Sequence, residues 1–212
     1  MGYFPFFMEI ENKHCLIAGG GKVALRKVQQ LLPFGPAICV VSPEFDTDLK
    51  LLGDQDGVTL KKRAFSSEDL DGADFVIAAT SDSGENAAIA ALCRERGIPV
   101  NVVDVKEQCT FLFPSIIKDG PVTVGISTGG ASPALARYLR LRLQEAMPEG
   151  VGKLAVSLSE LRGRVKNVFP ASAVLRGELF SLLMKKGLEN DCCLTEKMTE
   201  EIIREKVGRK HE

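Results

Sequence analysis

The sequence is poor in several residue types, with no tryptophan, two tyrosines, two histidines and six cysteines among its 212 residues. So few histidines and the lack of a C-x-x-C pair leave no spacing typical of a zinc site, and we expect no protein-bound metal. Three cysteines fall in apolar runs and are expected to be buried as small hydrophobic residues: Cys15, Cys39 and Cys93. The adjacent Cys192 and Cys193 do not suggest a disulfide with each other.

Neither sign of charge is in excess, because 27 Lys and Arg residues stand against 28 Asp and Glu residues, for a net charge of −1. This balance gives no indication of nucleic-acid or membrane binding. No apolar run approaches the length of a membrane span, and the N-terminal sequence lacks the basic segment of a signal peptide. We therefore expect a cytoplasmic globular protein, with the phenylalanines near the N-terminus covering a sheet edge or the core: Phe4, Phe6 and Phe7.

The most informative stretch is a short apolar run, residues 15–18, followed by three glycines and an amphipathic helical pattern. Gly19, Gly21 and Ala24 fit the G-x-G-x-x-G/A fingerprint of a dinucleotide-binding β-α-β unit. Gly19 would allow a sharp turn, Gly21 would admit a pyrophosphate, and Ala24 would let the helix lie close to the sheet. The free N–H groups and dipole of that helix favour phosphates. A plain structural turn is the alternative.

Strand and helix patterns alternate over the first half of the chain. We predict strands at 15–18, 37–41, 58–62, 74–79 and 99–103, helices at 23–32 and from Asp82 to about Arg96, and a capped turn at 66–70. This alternation predicts an α/β fold with a Rossmann-like, doubly wound parallel sheet.

Ligands of such a sheet bind at the carboxyl ends of its strands, so the polar residues there are candidates. Ser42, Pro43 and Glu44 follow the second strand, and Glu44 comes about where an acid that binds the ribose is expected. Because no arginine stands there to hold a 2′-phosphate, the sequence favours NAD over NADP. Thr80, after the fourth strand, is either a cofactor contact or, with Asp82, part of the next helix cap.

Asp104 follows the fifth strand and is the ionisable group best placed near a bound nicotinamide. It could remove a proton while a hydride leaves the substrate elsewhere, since the sequence offers no nucleophile–base pair. The alternative is a helix cap or a loop hydrogen bond.

The pattern changes after residue 113. Two strand-like runs, 115–118 and 122–127, are joined by Asp119-Gly120-Pro121, which predicts a hairpin that could pair with another subunit. A Gly-rich loop then leads to Ser132 and Pro133, a good N-cap and first residue for a helix over 134–147. Arginines on this helix could hold an acidic ligand or simply form a solvated face: Arg137, Arg140 and Arg142.

The remainder is predicted to be helical, at 151–168, 171–186 and 195–206, with Pro170 and Gly187 as separators. We thus expect three parts: an NAD-binding Rossmann domain at 1–113, a hairpin and helix dimerisation segment at 114–148, and a small all-helical domain at 149–212.

Five motifs occur together in this order: Tyr3-Phe4-Pro5, Gly19 to Lys27, Asn101 to Asp104, Phe113 to Ile116, and Ser127 to Arg137. Together they resemble the precorrin-2 dehydrogenase and sirohydrochlorin ferrochelatase family, including the front part of sirohaem synthases. The resemblance implies NAD-dependent oxidation of precorrin-2 to sirohydrochlorin and, in some members, insertion of Fe2+ as a substrate. It also implies a homodimer built through the segment after Phe113, with the active site between the nucleotide domain and the dimer region.

The resemblance also assigns site residues. The essential aspartate of the family maps onto Asp104, and its cofactor contacts map onto Gly21, Lys22, Val23, Pro43 and Glu44. A serine of the substrate-side loop corresponds to Thr128, which keeps the hydroxyl. With Gly129, Arg137 and Arg140, that loop and helix could bind the carboxylates of a tetrapyrrole.

Two other functions are consistent with the same residues. One is a dehydrogenase without chelatase activity, since Asp104 would be needed in both reactions. The other is a regulatory module that senses NAD without chemistry. We expect precorrin-2 to be supplied by another protein.

Overall fold

The computed structural model describes residues 3–53 and 55–208. The chain divides into two compact units, Met1–Phe113 and Pro114–Glu212. Within the described ranges, no helix is both long and apolar enough to cross a membrane.

The first unit contains a five-stranded sheet. Its strands are β1 (His14–Ala18), β2 (Ala37–Val41), β3 (Val58–Lys61), β4 (Phe75–Ala78) and β5 (Val100–Val102). Its helices are α1 (Lys22–Leu31), α2 (Thr47–Leu52) and α3 (Ser83–Glu95), with short 3-10 turns at Leu32–Phe34, Ser67–Leu70 and Lys106–Gln108. All strand pairs are parallel and the order is β3-β2-β1-β4-β5, which confirms the predicted doubly wound sheet.

The core of this unit lies on both faces of the sheet. On one face Ile17 packs with Val28 of α1 and Leu49 of α2, and on the other Leu16 packs with Ile89 of α3. Because both faces are covered, β4 is buried at all four positions and is a continuous apolar run rather than an alternating one. Each such fully buried aliphatic side chain contributes about 1.5–3 kcal/mol of hydrophobic stabilisation.

Two features of this unit differ from the sequence-based expectation. Helix α2 was not predicted, since its six residues are too few to show a clear period; Asp46 caps it by accepting a hydrogen bond from the Asp48 amide at 3.0 Å. The N-terminal phenylalanines do not cover the sheet: Phe4, Phe6 and Phe7 are 84%, 76% and 77% exposed. Ile10, further along this segment, packs partly against the core.

The second unit begins with the antiparallel hairpin of β6 (Ser115–Asp119) and β7 (Val122–Ile126), as predicted. The helices α4 (Pro133–Ala146), α5 (Val151–Glu160), α6 (Arg162–Val168), α7 (Ala173–Glu189) and α8 (Glu196–Gly208) follow. Ser132 caps α4 as expected, with its hydroxyl oxygen accepting from the Leu135 amide at 3.2 Å. The core of the last helices contains Val165, Phe169, Leu179 and Leu183.

Two helix boundaries in this unit differ from the prediction. The helix expected over 151–168 is interrupted at Leu161 and forms α5 and α6. Gly187 does not end a helix, because α7 continues to Glu189. A Cβ at Gly187 would lie very close to a methyl carbon of Leu154, so α5 packs closely on α7 at this glycine.

Within the second unit, a hydrogen bond connects the hairpin with helix α5. The Asp119 carboxylate at the end of β6 accepts a hydrogen bond from the Gly152 amide, 2.9 Å away, in the first turn of α5. A Cβ at Gly152 would collide with the Asp119 carbonyl. This contact crosses the predicted border at residue 148, and the three-part division of the chain remains a prediction.

Candidate nucleotide site

The turn between β1 and α1 requires glycine for steric reasons. Gly19 has φ = +112°, a conformation that L side chains rarely adopt, and a Cβ there would collide with the carbonyl of Ala79. Its amide donates to the Val41 carbonyl oxygen at 2.9 Å. The expected role of Gly19, a sharp turn at the end of the strand, agrees with this geometry.

Gly20 is a structural residue that the sequence analysis did not single out. A Cβ at this position would collide with the Glu44 carbonyl, and the Gly20 carbonyl oxygen accepts from the Asp46 amide at 2.7 Å. The glycine loop therefore lies directly against the segment after β2, which carries Pro43 and Glu44. The side chains of Pro43 and Glu44 are exposed.

Gly21 has a different environment. It is the N-cap of α1, with extended backbone angles, and nothing lies within 4 Å of the position of its absent Cβ. Helix α1 has no side-chain cap and no acidic residue in its first turn, so the amides of Lys22 and Val23 keep their capacity to donate. Open space beside an uncapped helix N-terminus fits the diphosphate of a dinucleotide.

Ala24 is fully buried against the sheet, as the fingerprint requires. Together with Gly19 and Gly21 it gives the β1–α1 connection the geometry expected of a dinucleotide-binding unit.

Thr80 lies beside the glycine loop and is held by Asn86, a buried residue of α3 that the sequence analysis missed. The Asn86 Oδ1 atom accepts from the Thr80 amide at 3.0 Å and lies 2.9 Å from its hydroxyl, while Asn86 Nδ2 donates to the Thr80 carbonyl at 3.1 Å. Asp82 caps α3 by accepting from the Gly84 amide at 2.7 Å. The alternative reading of Asp82 as a helix cap is therefore correct, and Thr80 remains a proposed cofactor contact.

Asp104 lies at the same edge of the sheet as the glycine loop and Thr80. The Val103 amide donates to the Ala78 carbonyl at 3.0 Å and the Ala79 amide to the Ala18 carbonyl at 2.8 Å, so the ends of β1, β4 and β5 are aligned. Asp104 has φ = +62°, which is uncommon for a residue other than glycine, and its side chain is exposed. Its carboxylate makes no hydrogen bond or ion pair with another described residue, so the alternative role in a loop hydrogen bond is not observed.

The loop after Asp104 is tied back along β5. The Cys109 thiol lies 3.2 Å from both the amide and the carbonyl of Val102, and the Thr110 hydroxyl oxygen accepts from the Val100 amide at 2.7 Å. Asn101 Nδ2 donates to the Phe111 carbonyl at 3.0 Å. These contacts fix the backbone on which Asp104 stands.

Lys27 is a further residue that sequence reasoning left without a role. It is 8% exposed on the inner face of α1, and its Nζ atom lies 3.6 Å from the centroid of the Phe113 ring. Burial lowers the pKa of Lys27 to about 8. The signal was present in the sequence, since Lys27 falls in the apolar stripe of Ala24, Val28 and Leu31.

The candidate substrate residues lie in the second unit. The Thr128 hydroxyl accepts from the Ser132 amide and donates to the Ser132 carbonyl, both at 3.1 Å, and so closes the loop before α4. Gly129 in this loop has φ = +62°.

The arginines of α4 differ in their partners. Arg140 donates to Gln144 at 2.7 Å, and Arg142 forms an ion pair with Glu145 at 2.9 Å, as expected of a solvated face. Arg137 is exposed, has no ion-pair partner in the described part of the chain, and lines a shallow groove with Pro133 and Tyr138. Across the residues that the structure describes, no three His, Cys, Asp or Glu side chains are grouped as metal ligands would be.

The chain matches two known family models. Residues 6–115, more than half of the chain, match the NAD_binding_7 family model, whose description is NAD(P)-binding. The chain belongs to this NAD(P)-binding family. Residues 119–146 match a second model, described as sirohaem biosynthesis protein central.

Curated relatives match most of this chain. The siroheme synthase of Methylococcus capsulatus is 44% identical over 170 residues, which cover 80% of this chain and 36% of the relative. That of Pseudomonas entomophila is 41% identical over 177 residues, covering 84% of this chain and 38% of the relative. The chain thus spans little more than a third of the length of these relatives, and the resemblance to the sirohaem synthase family is confirmed.

A solved structure named SirC, precorrin-2 dehydrogenase, has the same fold. The two superpose with a TM-score of 0.69 at 21% sequence identity, covering 98% of this chain and 100% of the other. The match confirms the fold class expected from the sequence.

Proposed function

We propose that this protein oxidises precorrin-2 to sirohydrochlorin with NAD as the cofactor. The observation that carries the proposal is that the open, uncapped N-terminus of α1 at Gly21 and the carboxylate of Asp104, which has no partner among residues 3–53 and 55–208, lie at one edge of the sheet. The names of the curated relatives and of the SirC structure support the choice of a tetrapyrrole substrate.

The geometry of the turn supports the proposed cofactor contacts. The amides of Lys22 and Val23 would donate to the diphosphate, and the missing Cβ of Gly21 leaves room for it. Glu44, held beside the loop, would accept from the ribose hydroxyls and repel a 2′-phosphate, which favours NAD over NADP. The proposed NAD pocket would also be lined by Gly19, Pro43 and Thr80.

The chemistry requires that the substrate lose a hydride and a proton. Bound NAD supplies the acceptor for the hydride with its electron pair. The carboxylate of Asp104 takes the proton and, because it is exposed, returns it to water. No ion pair with a residue that the structure describes has to break before Asp104 acts.

The substrate carries several carboxylates, and these need donors and positive charge. We place Arg137 and Arg140 on α4 and the loop residues Thr128 and Gly129 in this role. Arg137 is the strongest candidate of the four, since its guanidinium has no acidic partner among the described residues.

A homodimer is part of the proposal. Helix α4 leaves a stripe of leucines open, with Leu135, Leu139 and Leu143 being 48%, 38% and 44% exposed at successive four-residue steps. Such a stripe on a helix favours pairing with an apolar partner surface, here a second copy of the chain. The six free cysteines agree with a reducing compartment, and we place the protein in the cytoplasm.

Insertion of Fe2+ into sirohydrochlorin is a second activity, favoured by the name of the relatives, siroheme synthase. Ferrous iron would be a substrate whose ligands are the tetrapyrrole nitrogens. The test is sirohaem formation from sirohydrochlorin and Fe2+ without NAD; its absence leaves a dehydrogenase alone.

The decisive experiment mixes the purified protein with NAD and enzymatically made precorrin-2 and follows NADH absorbance. We expect NADH and sirohydrochlorin to form in equal amounts. If NAD binds but neither product forms, the alternative of a regulatory module that senses NAD replaces the enzyme.

A further inference from the structure

The segment before β1 presents aromatic side chains to solvent. Phe4, Phe6 and Phe7 are each more than three-quarters exposed, and the neighbouring Met8 is 56% exposed. A phenylalanine buries roughly 150–250 Å² when it packs, so these three together leave roughly 500 Å² of apolar surface open. Exposed apolar surface of this size is typical of an interaction site. We call residues 3–8 the aromatic segment.

The aromatic segment is attached to the first unit at both of its ends. On the side of β1, Ile10 packs partly against the core, and the Asn12 amide donates to the Gly35 carbonyl oxygen at 2.9 Å. At the other end, the Lys106 Nζ atom lies 5.4 Å from the centroid of the Tyr3 ring, a cation–π contact. The phenylalanines between these two points are therefore held as a surface, and ordering them on binding costs little entropy.

Helix α4 in the second unit carries an apolar surface of matching length. Its leucine stripe consists of Leu135, Leu139 and Leu143, which are all exposed. At about 1.5 Å per helical residue, the stripe is about 12 Å long. An extended chain spans about 3.3 Å per residue, so the distance from Phe4 to Phe7 is about 10 Å. Both surfaces are exposed in the single chain, and both need an apolar partner.

A second copy of the chain can cover both surfaces at once. In a two-fold dimer the same contact forms twice, because each chain contributes its aromatic segment and its leucine stripe. The apolar area that each chain then buries approaches the roughly 800 Å² that one partner contributes to a standard interface. The aromatic segment contains no charged residue, so its burial leaves no unpaired charge in the interface.

We propose that the aromatic segment of one chain packs on the leucine stripe of α4 in a second copy, and that two-fold symmetry forms the reciprocal contact. This inference rests on the homodimer of the proposed function and assigns its two contact surfaces. The leucine stripe then pairs with the aromatic segment and not with α4 of the other chain. Because Tyr3 lies on Lys106, two residues after Asp104, the interface extends to the loop that follows the candidate catalytic residue.

The first test is the dissociation constant of the dimer, measured by sedimentation equilibrium without NAD or tetrapyrrole. Phe4→Ser, Phe6→Ser and Phe7→Ser combined should raise it on the order of a hundredfold or more, because apolar anchors of the interface are lost. Leu51→Ser, at an exposed leucine of α2, is the matched control and should change it less than about twofold. Far-UV circular dichroism checks that each variant is folded. An unchanged dissociation constant in the triple variant overturns the inference and leaves α4 paired with α4.

The second test identifies the surface on which the segment packs. Phe6 is replaced by the photoreactive p-benzoyl-phenylalanine, and this chain is mixed with unmodified chains labelled with 15N before irradiation. Mass spectrometry should find an adduct that joins the two kinds of chain within residues 133–146 of the labelled one. Leu139→Glu combined with Leu143→Glu in the labelled chain should abolish this adduct. An adduct within one chain, or with another segment of the second chain, overturns the inference.

The outcome is separate from that of the proposed oxidation. If the dimer depends on the phenylalanines but no NADH forms with precorrin-2, the oxidation fails and the inference stands. If NADH forms and the triple phenylalanine variant remains a dimer, the oxidation stands and the inference fails. A wild-type monomer removes the homodimer and this inference together.

Discussion

The carbonyl group of Ala79, just after β4, occupies the space that a Cβ at Gly19 would need. Two neighbouring strand ends are therefore in backbone contact where β1 turns into α1. Two residues further on, the corresponding position of Gly21 faces open space. The same glycine fingerprint thus contains one residue that the backbone geometry favours as glycine and one that we assign to ligand access.

This difference predicts opposite outcomes for two alanine substitutions. Gly19→Ala meets the Ala79 carbonyl at φ = +112° and should lower the free energy of unfolding by about 2–4 kcal/mol. Gly21→Ala should fold with nearly wild-type stability but bind NAD more weakly. Gly21→Asp should lower the affinity for NAD by about tenfold or more, because its carboxylate repels the diphosphate. Chemical denaturation and calorimetric NAD titration measure both effects. Normal NAD affinity in Gly21→Asp would contradict the proposed pocket.

Asp104→Asn should preserve folding and NAD binding while lowering NADH production on the order of 10²–10⁴-fold, because the amide cannot accept the proton. Asparagine also tolerates the positive φ of this position, which makes it the appropriate isosteric change. Stopped-flow absorbance with precorrin-2 measures the rate. Unchanged turnover would exclude Asp104 from catalysis.

Asp69 predicts a pH dependence of stability. Hydrogen bonds from Arg63 lower the pKa of this buried carboxyl from 3.8 to about 2, against the opposing effect of burial, and the Ser66 amide lowers it further. The Asp69 carboxylate binds a proton more readily in the unfolded chain than in the folded protein. Its contribution to the free energy of unfolding is therefore complete above pH ~4 and is lost as pH falls through about 2. It amounts to about 2 kcal/mol.

Urea denaturation should therefore show that the free energy of unfolding falls between about pH 5 and about pH 2. This fall should be smaller in Asp69→Asn than in the wild type, because the variant lacks the titrating carboxyl. The matched control is Asp71→Asn, which removes an exposed ion pair with Arg96 and should change the free energy of unfolding by less than about 1 kcal/mol. An identical pH dependence in wild type and Asp69→Asn would refute the assignment.

The leucine stripe of α4 predicts the oligomeric state. Light scattering after gel filtration should give a dimer for the wild type and a monomer for Leu139→Glu combined with Leu143→Glu, because two carboxylates cannot be buried unpaired in an apolar interface. Leu51→Glu, at a leucine of α2 that is 67% exposed, should remain a dimer. A wild-type monomer at micromolar concentration would remove the dimer from the proposal.

Much of the fold was predictable because its signals are local. Apolar runs give β1, β2 and β4, the N-cap Ser132 gives the start of α4, and the Asp-Gly-Pro turn gives the hairpin. Gly187 misled the prediction, because a glycine that ends one helix and a glycine that admits Leu154 of another helix look the same in sequence. The N-terminal phenylalanines misled it too, since apolar character does not reveal whether a covering surface exists.

For the candidate site, the sequence by itself determined which residue types follow four of the five strands: the glycines after β1, Glu44 after β2, Thr80 after β4 and Asp104 after β5. Only the tertiary structure decided that Thr80 is held by Asn86, that Gly21 faces open space, and that Lys27 is buried against the Phe113 ring. The reason is physical: a helix or turn depends on neighbours in sequence, whereas burial and electrostatic contact depend on segments that the folded sheet brings together.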